Sequence, residues 1–490
     1  MKGTTSIACS VMLLAGMMTL ALTSSTAPGP TSVSASSHRI VFAPAVASWV
    51  LMKQDDTPPT AADCYAGGFR CFAPQSMANA YNYAVLHALG NQGQGVTIAV
   101  IDSFGSDTIR HDLHVFNQAF SLAPMCGEEG VACAPGMPTF QILNLQGSPA
   151  TKAPPPNNGT GQEDRSAWIV ETSLDVEWAH ATAPKANILL VATPTAETLG
   201  VQGFPQMMNA IQYVVDNDLA DVISMSLGAG EASFHNGLSA LQQMRQGFID
   251  AQAHRITVLA STGDNGTSNP LKEPVKNPAL IPYPSVGWPA SDPLVTAVGG
   301  TRLCLDAETG TSLDTVNPPS VCSTAPGREI SWPFSGGGYS ILFSRPSFQN
   351  TLPPGSTFVG SSVGAPPPNV NMRGIPDIAY QASPGTAVLV FADSQWFAVG
   401  GTSASAPQWA GLVAMADQIA GHRLGFINPA LYQIANNPSQ YAADFFDVTV
   451  GSNQVSSIPG YPASTGWDAV TGLGTPNAAN LLPDLIAASP

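Results

Sequence analysis

Ile256-Thr257-Val258-Leu259-Ala260-Ser261-Thr262-Gly263-Asp264-Asn265-Gly266 is an apolar, β-branched run that breaks into Gly-Asp-Asn-Gly. The run reads as a buried strand and its end as a turn. Working outward, comparable runs stand at 96–102 (ending Ile101-Asp102), 187–192, 221–227 and 294–298. Helical stretches lie among them near 204–217 and 239–254. Apolar strands alternating with helices predict an α/β domain with a mostly parallel central sheet and helices on both faces. Open sheets of this kind build their sites at strand ends, so Asp264 is either a turn residue or part of a site. Residues 147–161 and 352–370, rich in Pro and Gly, are expected as surface loops. No internal repeat is visible.

A second stretch, Gly400-Gly401-Thr402-Ser403-Ala404-Ser405-Ala406-Pro407, puts an uncharged serine on a glycine turn. An apolar helix follows, carrying Trp409, Ala410, Leu412, Val413 and Met415. Such a serine either caps the helix or acts as a nucleophile near its positive end. A nucleophile needs a base, usually imidazole, yet none of the eight histidines stands in a His-Gly-Thr-His setting. Acids are at hand instead. In Ala167-Trp168-Ile169-Val170-Glu171-Thr172-Ser173-Leu174-Asp175-Val176-Glu177-Trp178-Ala179-His180, the apolar residues Trp168, Leu174 and Trp178 recur at helical spacing. Glu171 and Asp175, four apart, then share one helix face with Cβ atoms about 5–6 Å apart. Taken alone, the pair fits a solvated acidic face equally well.

Together these stretches resemble the sedolisin family, the serine-carboxyl peptidases, which have a subtilisin-like fold. The resemblance runs from about Cys64 to the C-terminus and extends to Pro289-Ala290-Ser291-Asp292-Pro293 and Val298-Gly299-Gly300-Thr301. It implies a serine-type endopeptidase acting through an acyl-enzyme on Ser403. Glu171 is then the general base, Asp175 its orienting partner and Asp264 the oxyanion aspartate. Below about pH 6 an imidazole is protonated, whereas a carboxyl of pKa near 4 still accepts a proton. Two close carboxyls titrate as a pair, so one keeps its proton well above its free pKa. Asp264 must be protonated to donate to an oxyanion. Acid chemistry is therefore expected. In Asp221-Val222-Ile223-Ser224-Met225-Ser226-Leu227-Gly228, Leu227 stands where sedolisins usually have tryptophan, which leaves subsite preference open. A neutral subtilisin-type hydrolase is disfavoured by the absent histidine motif. A catalytically inert binding protein on this fold would have no need of all four positions.

Near the C-terminus, Asp444-Phe445-Phe446-Asp447-Val448-Thr449 precedes Ser464-Thr465-Gly466-Trp467-Asp468. Two aspartates among carbonyl-rich turns suit a hard cation, and the pattern is similar to the sedolisin calcium site. The resemblance implies one structural Ca2+, with Asp447 and Asp468 as carboxylate ligands. Val448, Ser464 and Gly466 then supply main-chain carbonyls.

Charged residues make up only 10% of the chain, and 33 acids against 17 bases give a formal charge of −16 at pH 7. No basic patch offers itself to nucleic acid. Lys2 precedes a mostly apolar run over 7–22 and then Thr23-Ser24-Ser25-Thr26-Ala27, the form of an export signal. The expected organisation is a signal peptide over 1–27 (cleavage as far as about 35), a linker or short pro-segment over 28–62, and a peptidase domain over 63–490. Sedolisins generally carry a long folded propeptide. Here the short intervening stretch implies maturation without one or with one supplied as a separate chain. Residues 40–52 are apolar but hold Pro44 and are too short to span a bilayer. With Cys9 in the signal, six cysteines remain and allow fifteen pairings. The near-neighbour couples Cys64–Cys71, Cys126–Cys133 and Cys304–Cys322 are expected. An extracellular monomer acting on polypeptides, with no membrane association once the signal is removed, completes the reading.

Overall fold

The structure is a computed structural model describing residues 48–145, 165–194, 204–234, 236–270, 280–315, 322, 327–353, 356 and 371–489. The predicted signal segment, the 147–161 insertion and most of the 352–370 insertion lie outside the described residues.

The strand Thr97–Ser103 shows why the central sheet forms. Successive side chains point to opposite faces. Ile98 and Val100 enter one hydrophobic core while Ala99 and Ile101 enter another. Asn187–Thr193 divides in the same way, Ile188 and Leu190 to one side, Leu189 and Val191 to the other. A strand apolar on both faces must be covered on both. The sheet runs Glu329–Ser331, Thr296–Leu303, Thr257–Ser261, Val222–Met225, Thr97–Ser103, Asn187–Thr193, Phe140–Asn144. From Thr296–Leu303 onward the pairings are parallel. Ile378–Gln381 also joins Thr296–Leu303 in parallel, and only Glu329–Ser331 is antiparallel. Helices Phe204–Asp216 and Gln246–Ala253 cover one face. Arg165–Thr182 and Ser405–Ala420 cover the other. The expected α/β architecture is what forms.

Two details differ from expectation. The helix expected over 239–254 is two short helices, Leu238–Met244 and Gln246–Ala253. They meet at Arg245 (φ −90°, ψ 8°), whose guanidinium grips Asp292 through Nε at 2.9 Å and Nη2 at 2.7 Å. A bidentate pair of this kind outweighs the small helix propensity of one residue. Second, part of the stretch expected as a linker or short pro-segment is a strand. Ser48–Lys53 pairs antiparallel with Gln395–Gly400, Ser48 lying opposite Gly400, and Val388–Ala392 completes a small three-stranded sheet. That sheet delivers the chain to Ser403. The three disulfides are Cys64–Cys71, Cys126–Cys133 and Cys304–Cys322, as the spacing suggested.

Candidate active site

Three neighbouring parallel strands end side by side: Thr97–Ser103, Val222–Met225 and Thr257–Ser261. Their carboxyl ends carry Asp102, Ser226 and Asp264, which meet the turn holding Ser403 and the helix holding Glu171 and Asp175. Such strand ends are where open sheets place their sites.

The turn begins at Gly401, whose φ of 128° an L side chain rarely adopts, and whose N–H donates to Ala382 O at 2.6 Å. One 3-10 turn, Thr402–Ala404, leads into the helix Ser405–Ala420. Ser403 thus sits beside a helix N-terminus and is buried. The helix Arg165–Thr182 packs across the helix Ser405–Ala420 at Gly411. A Cβ added there would lie 2.6 Å from Thr182 Cβ, so the missing side chain permits the close crossing. Trp168, Leu174 and Trp178 are buried as their spacing predicts, but so are Glu171, Asp175, Glu177 and His180. Burial on all sides rules out a solvated acidic face.

Hydrogen bonds tie the three motifs together. Ser226 Oγ donates to Asp175 Oδ1 at 2.9 Å and lies 3.4 Å from the carbonyl oxygen of Ser403. The Thr402 N–H donates to Asp264 Oδ1 at 2.8 Å, and the Thr402 hydroxyl donates to the same oxygen at 2.9 Å. Asp175, Asp264 and Ser403 are therefore drawn to one place, with Glu171 one helical turn from Asp175.

Electrostatics follow from enclosure. Burial first, then the charges of Asp102 and Glu171, hold Asp175 well above the ordinary carboxyl range, against the Ser226 hydroxyl. Asp102 is raised by burial to about 7, opposed by Thr172. As a whole residue Asp264 is half-buried, but its Oδ2 is sealed from water and has no hydrogen-bond partner. Burial accordingly raises it to about 6, against the two donors of Thr402. Around Ser403 the structure gathers acids that keep their protons in mildly acidic solution, the condition in which carboxyls replace imidazole as proton carriers. Asp102 was read from sequence only as a strand ending. The one available signal was its place at the end of an apolar run, shared with Asp264. Nothing local marked Ser226 as a link to Asp175.

The residues expected to hold calcium are linked by hydrogen bonds through the N–H groups of Ser464 and Gly466. Asp447 Oδ2 accepts the Gly466 N–H at 2.9 Å, while Oδ1 is enclosed without a partner. Asp468 Oδ2 accepts the Ser464 N–H at 2.8 Å, and its Oδ1 accepts those of Val470 and Thr471 at 2.9 Å each. The carbonyl of Val448 lies in the same cluster, 3.5 Å from Thr471 Oγ1. Among the described residues no group of three or more His, Cys, Asp or Glu converges to hold a metal ion. A cation here would draw on two carboxylates and on carbonyls. The enclosed, unpartnered Asp447 Oδ1 and the nearby Asp468 carboxyl fit such a guest.

A model described as the subtilase family matches residues 156–425. Kumamolisin from Bacillus sp. (strain MN-32) is 32% identical over 422 residues, covering 85% of this chain and 64% of that protein. Sedolisin from Pseudomonas sp. (strain 101) is 33% identical over 321 residues, 65% of this chain and 49% of that one. Human tripeptidyl-peptidase 1 is 30% identical over 338 residues, with shares of 66% and 53%. The chain thus spans roughly half to two thirds of the length of these curated relatives. Among solved structures, Pseudomonas sedolisin (serine-carboxyl proteinase) complexed with pseudo-iodotyrostatin superposes with a TM-score of 0.62 at 26% identity. That match covers 85% of this chain and 98% of the other.

Proposed function

Since this chain belongs to the sedolisin family of serine-carboxyl peptidases, within the subtilases, we propose that it is a secreted endopeptidase that hydrolyses polypeptides in acid through an acyl-enzyme on Ser403. Glu171 takes the proton of Ser403 Oγ as that oxygen attacks the scissile carbonyl. Asp175, which shares a proton with Glu171, orients it. Protonated Asp264 donates a hydrogen bond to the oxyanion as charge develops there, and a neutral acid does this where an anion would repel. Glu171 then returns the proton to the leaving amine. In deacylation it takes one from water, and Ser403 is regenerated.

The observation that carries this reading is the pair of bonded links, Ser226 to Asp175 and Thr402 to Asp264, on either side of Ser403. Secretion is supported by the signal-like N-terminus and three disulfides. No helix among the described residues is long and apolar enough to cross a membrane. One Ca2+ would be held by Asp447, Asp468 and the carbonyls of Val448, Ser464 and Gly466. Its chemistry there is cross-linking of two loops, and none of its ligands is one of the four residues given roles in the reaction. The test is casein hydrolysis from about pH 2.5 to 8 by the wild type and Ser403→Ala. Activity confined to the acid side and lost in the variant supports the reading. Hydrolysis that peaks near neutrality, or that survives in Ser403→Ala above a few per cent, defeats it.

A further inference from the structure

Asp264 can donate to an oxyanion only from the oxygen that carries its proton, and Thr402 bears on which oxygen that is. Three hydrogen bonds form a chain whose ends are both backbone amides. The Gly263 N–H donates to Thr402 Oγ1 at 3.0 Å. The Thr402 hydroxyl, already accepting, turns its own hydrogen to Asp264 Oδ1 at 2.9 Å. The Thr402 N–H reaches the same Oδ1 at 2.8 Å. An amide nitrogen donates and cannot accept, so Oδ1 receives the Thr402 N–H whatever the protonation, and the hydroxyl, with the Gly263 N–H on one lone pair, turns its single hydrogen to the acceptor beside it, Oδ1. A proton on Oδ1 would face two donors. Oδ2 is enclosed, with no hydrogen-bond partner.

We propose that Thr402 is a positioning residue that keeps the proton of Asp264 on Oδ2, the oxygen left free for the oxyanion. The inference rests on the reading of Asp264 as oxyanion donor. With the hydroxyl gone, Oδ1 keeps one donor instead of two, the preference for Oδ2 weakens, and Gly263 loses its acceptor. The carboxylate form also loses a hydrogen bond, which moves its ionisation to higher pH.

The experiment measures kcat and KM against pH on one peptide for Thr402→Val, Thr402→Ala and Thr402→Ser, with melting curves to show that each is folded. The valine and alanine variants are expected to lose roughly 5- to 50-fold in kcat with little change in KM, part of the loss typical of one oxyanion donor. Their alkaline limb should rise by roughly 0.5–1 pH unit. Thr402→Ser, which keeps the hydroxyl, should restore both. Either truncation suffices if the other does not fold. Folded variants with wild-type kcat and an unmoved limb overturn the role of Thr402, as does a serine variant no better than alanine. Asp264→Ala, run in parallel, separates the two failures. A large loss there beside a neutral Thr402→Val sinks only the positioning role, whereas a small loss removes the oxyanion reading itself.

Discussion

A carboxyl enclosed by protein holds its proton more tightly than one in water, and Asp102, Asp175 and Asp264 are raised chiefly for that reason. For Asp264 the consequence has a definite sign. Raised to about 6, it is a neutral carboxyl able to donate below that pH and becomes an anion as pH climbs through it. Asp264→Ala should lose about 10²–10³ in kcat, the usual loss for one oxyanion donor. Asp264→Asn keeps a donor that does not titrate. It should lose less than alanine and show a softer decline above about pH 6, unless the Glu171–Asp175 pair alone sets that limb. Steady-state kinetics across pH on both variants decide it. Equal, small losses would reduce Asp264 to a turn residue.

At the scale of elements, the placing of Ser403 against Glu171 and Asp175 depends on how two helices cross. Ser403 leads into Ser405–Ala420, while Glu171 and Asp175 ride on Arg165–Thr182, and the two helices touch through Gly411 and Thr182. Gly411→Ala would set a Cβ 2.6 Å from Thr182 Cβ and 3.3 Å from Ala179 O. Overpacking of this kind costs roughly 1–3 kcal/mol. The variant should melt lower and, because the crossing must widen, lose kcat more than it gains KM. A melting point and kcat at wild-type level would mean that the crossing yields without disturbing the site. The hairpin Val388–Ala392 and Gln395–Gly400 is a second such support. Its Phe391 N–H donates to Glu177 Oε2 at 3.1 Å, and the N–H groups of Asp393 and Ser394 reach Asp112 at 3.2 and 3.4 Å. Both acids are buried, so the strand that feeds Ser403 hangs on carboxyls that prefer to stay protonated.

For the whole molecule, those acids set how stability responds to pH. Burial raises Asp112 and Asp264 to about 6 and Asp102 to about 7, and Glu177 well above its ordinary range. Between the ordinary value near 4 and the folded values, the native chain holds protons that the unfolded chain has released. By linkage, stability falls as pH rises from about 4 through the folded values, about 6 for Asp112 and Asp264 and about 7 for Asp102. Asp55 and Asp63, lowered by the N–H groups of Thr57 and Thr60, act in the opposite sense but stand in solvent. Buried His180, lowered by burial to about 4, and His87, also lowered by burial, oppose the decline over the same range but are outnumbered by the raised carboxyls. The melting temperature should therefore decline from about pH 4 to pH 7, and Glu177→Gln should flatten part of the decline. Calorimetry at fixed ionic strength tests this, and a melting point that climbs toward neutrality would contradict it. Calcium should contribute separately. A ligand bound only by the folded state adds about 2.7 kcal/mol at a hundredfold excess over Kd. For protein shown by metal analysis to be calcium-loaded, EDTA near neutral pH should lower the melting temperature, and Asp468→Asn should abolish that response. A melting curve indifferent to EDTA removes the site.

The amino-acid sequence by itself determined whatever depends on residues close along the chain. Glu171 and Asp175 share a helix face because they are four apart, and Asp264 sits where an apolar strand breaks at Gly263. Ser403 follows a glycine that alone tolerates the turn, and the cysteines pair within short loops. Even the two-sided burial of Thr97–Ser103 was legible, since its run is apolar without alternation. Only the tertiary structure decided what depends on residues far apart. Ser48–Lys53 belongs to the fold because it lies against Gln395–Gly400, and a break in a helix at Arg245 follows from Asp292. Ser226 matters because the end of its strand meets Asp175, and Thr402 because it faces Asp264 across 138 residues of chain. The acidity of the site belongs to the same class. A carboxyl's proton affinity is set by the water it has lost and the charges brought near it, and both exist only once the chain has folded.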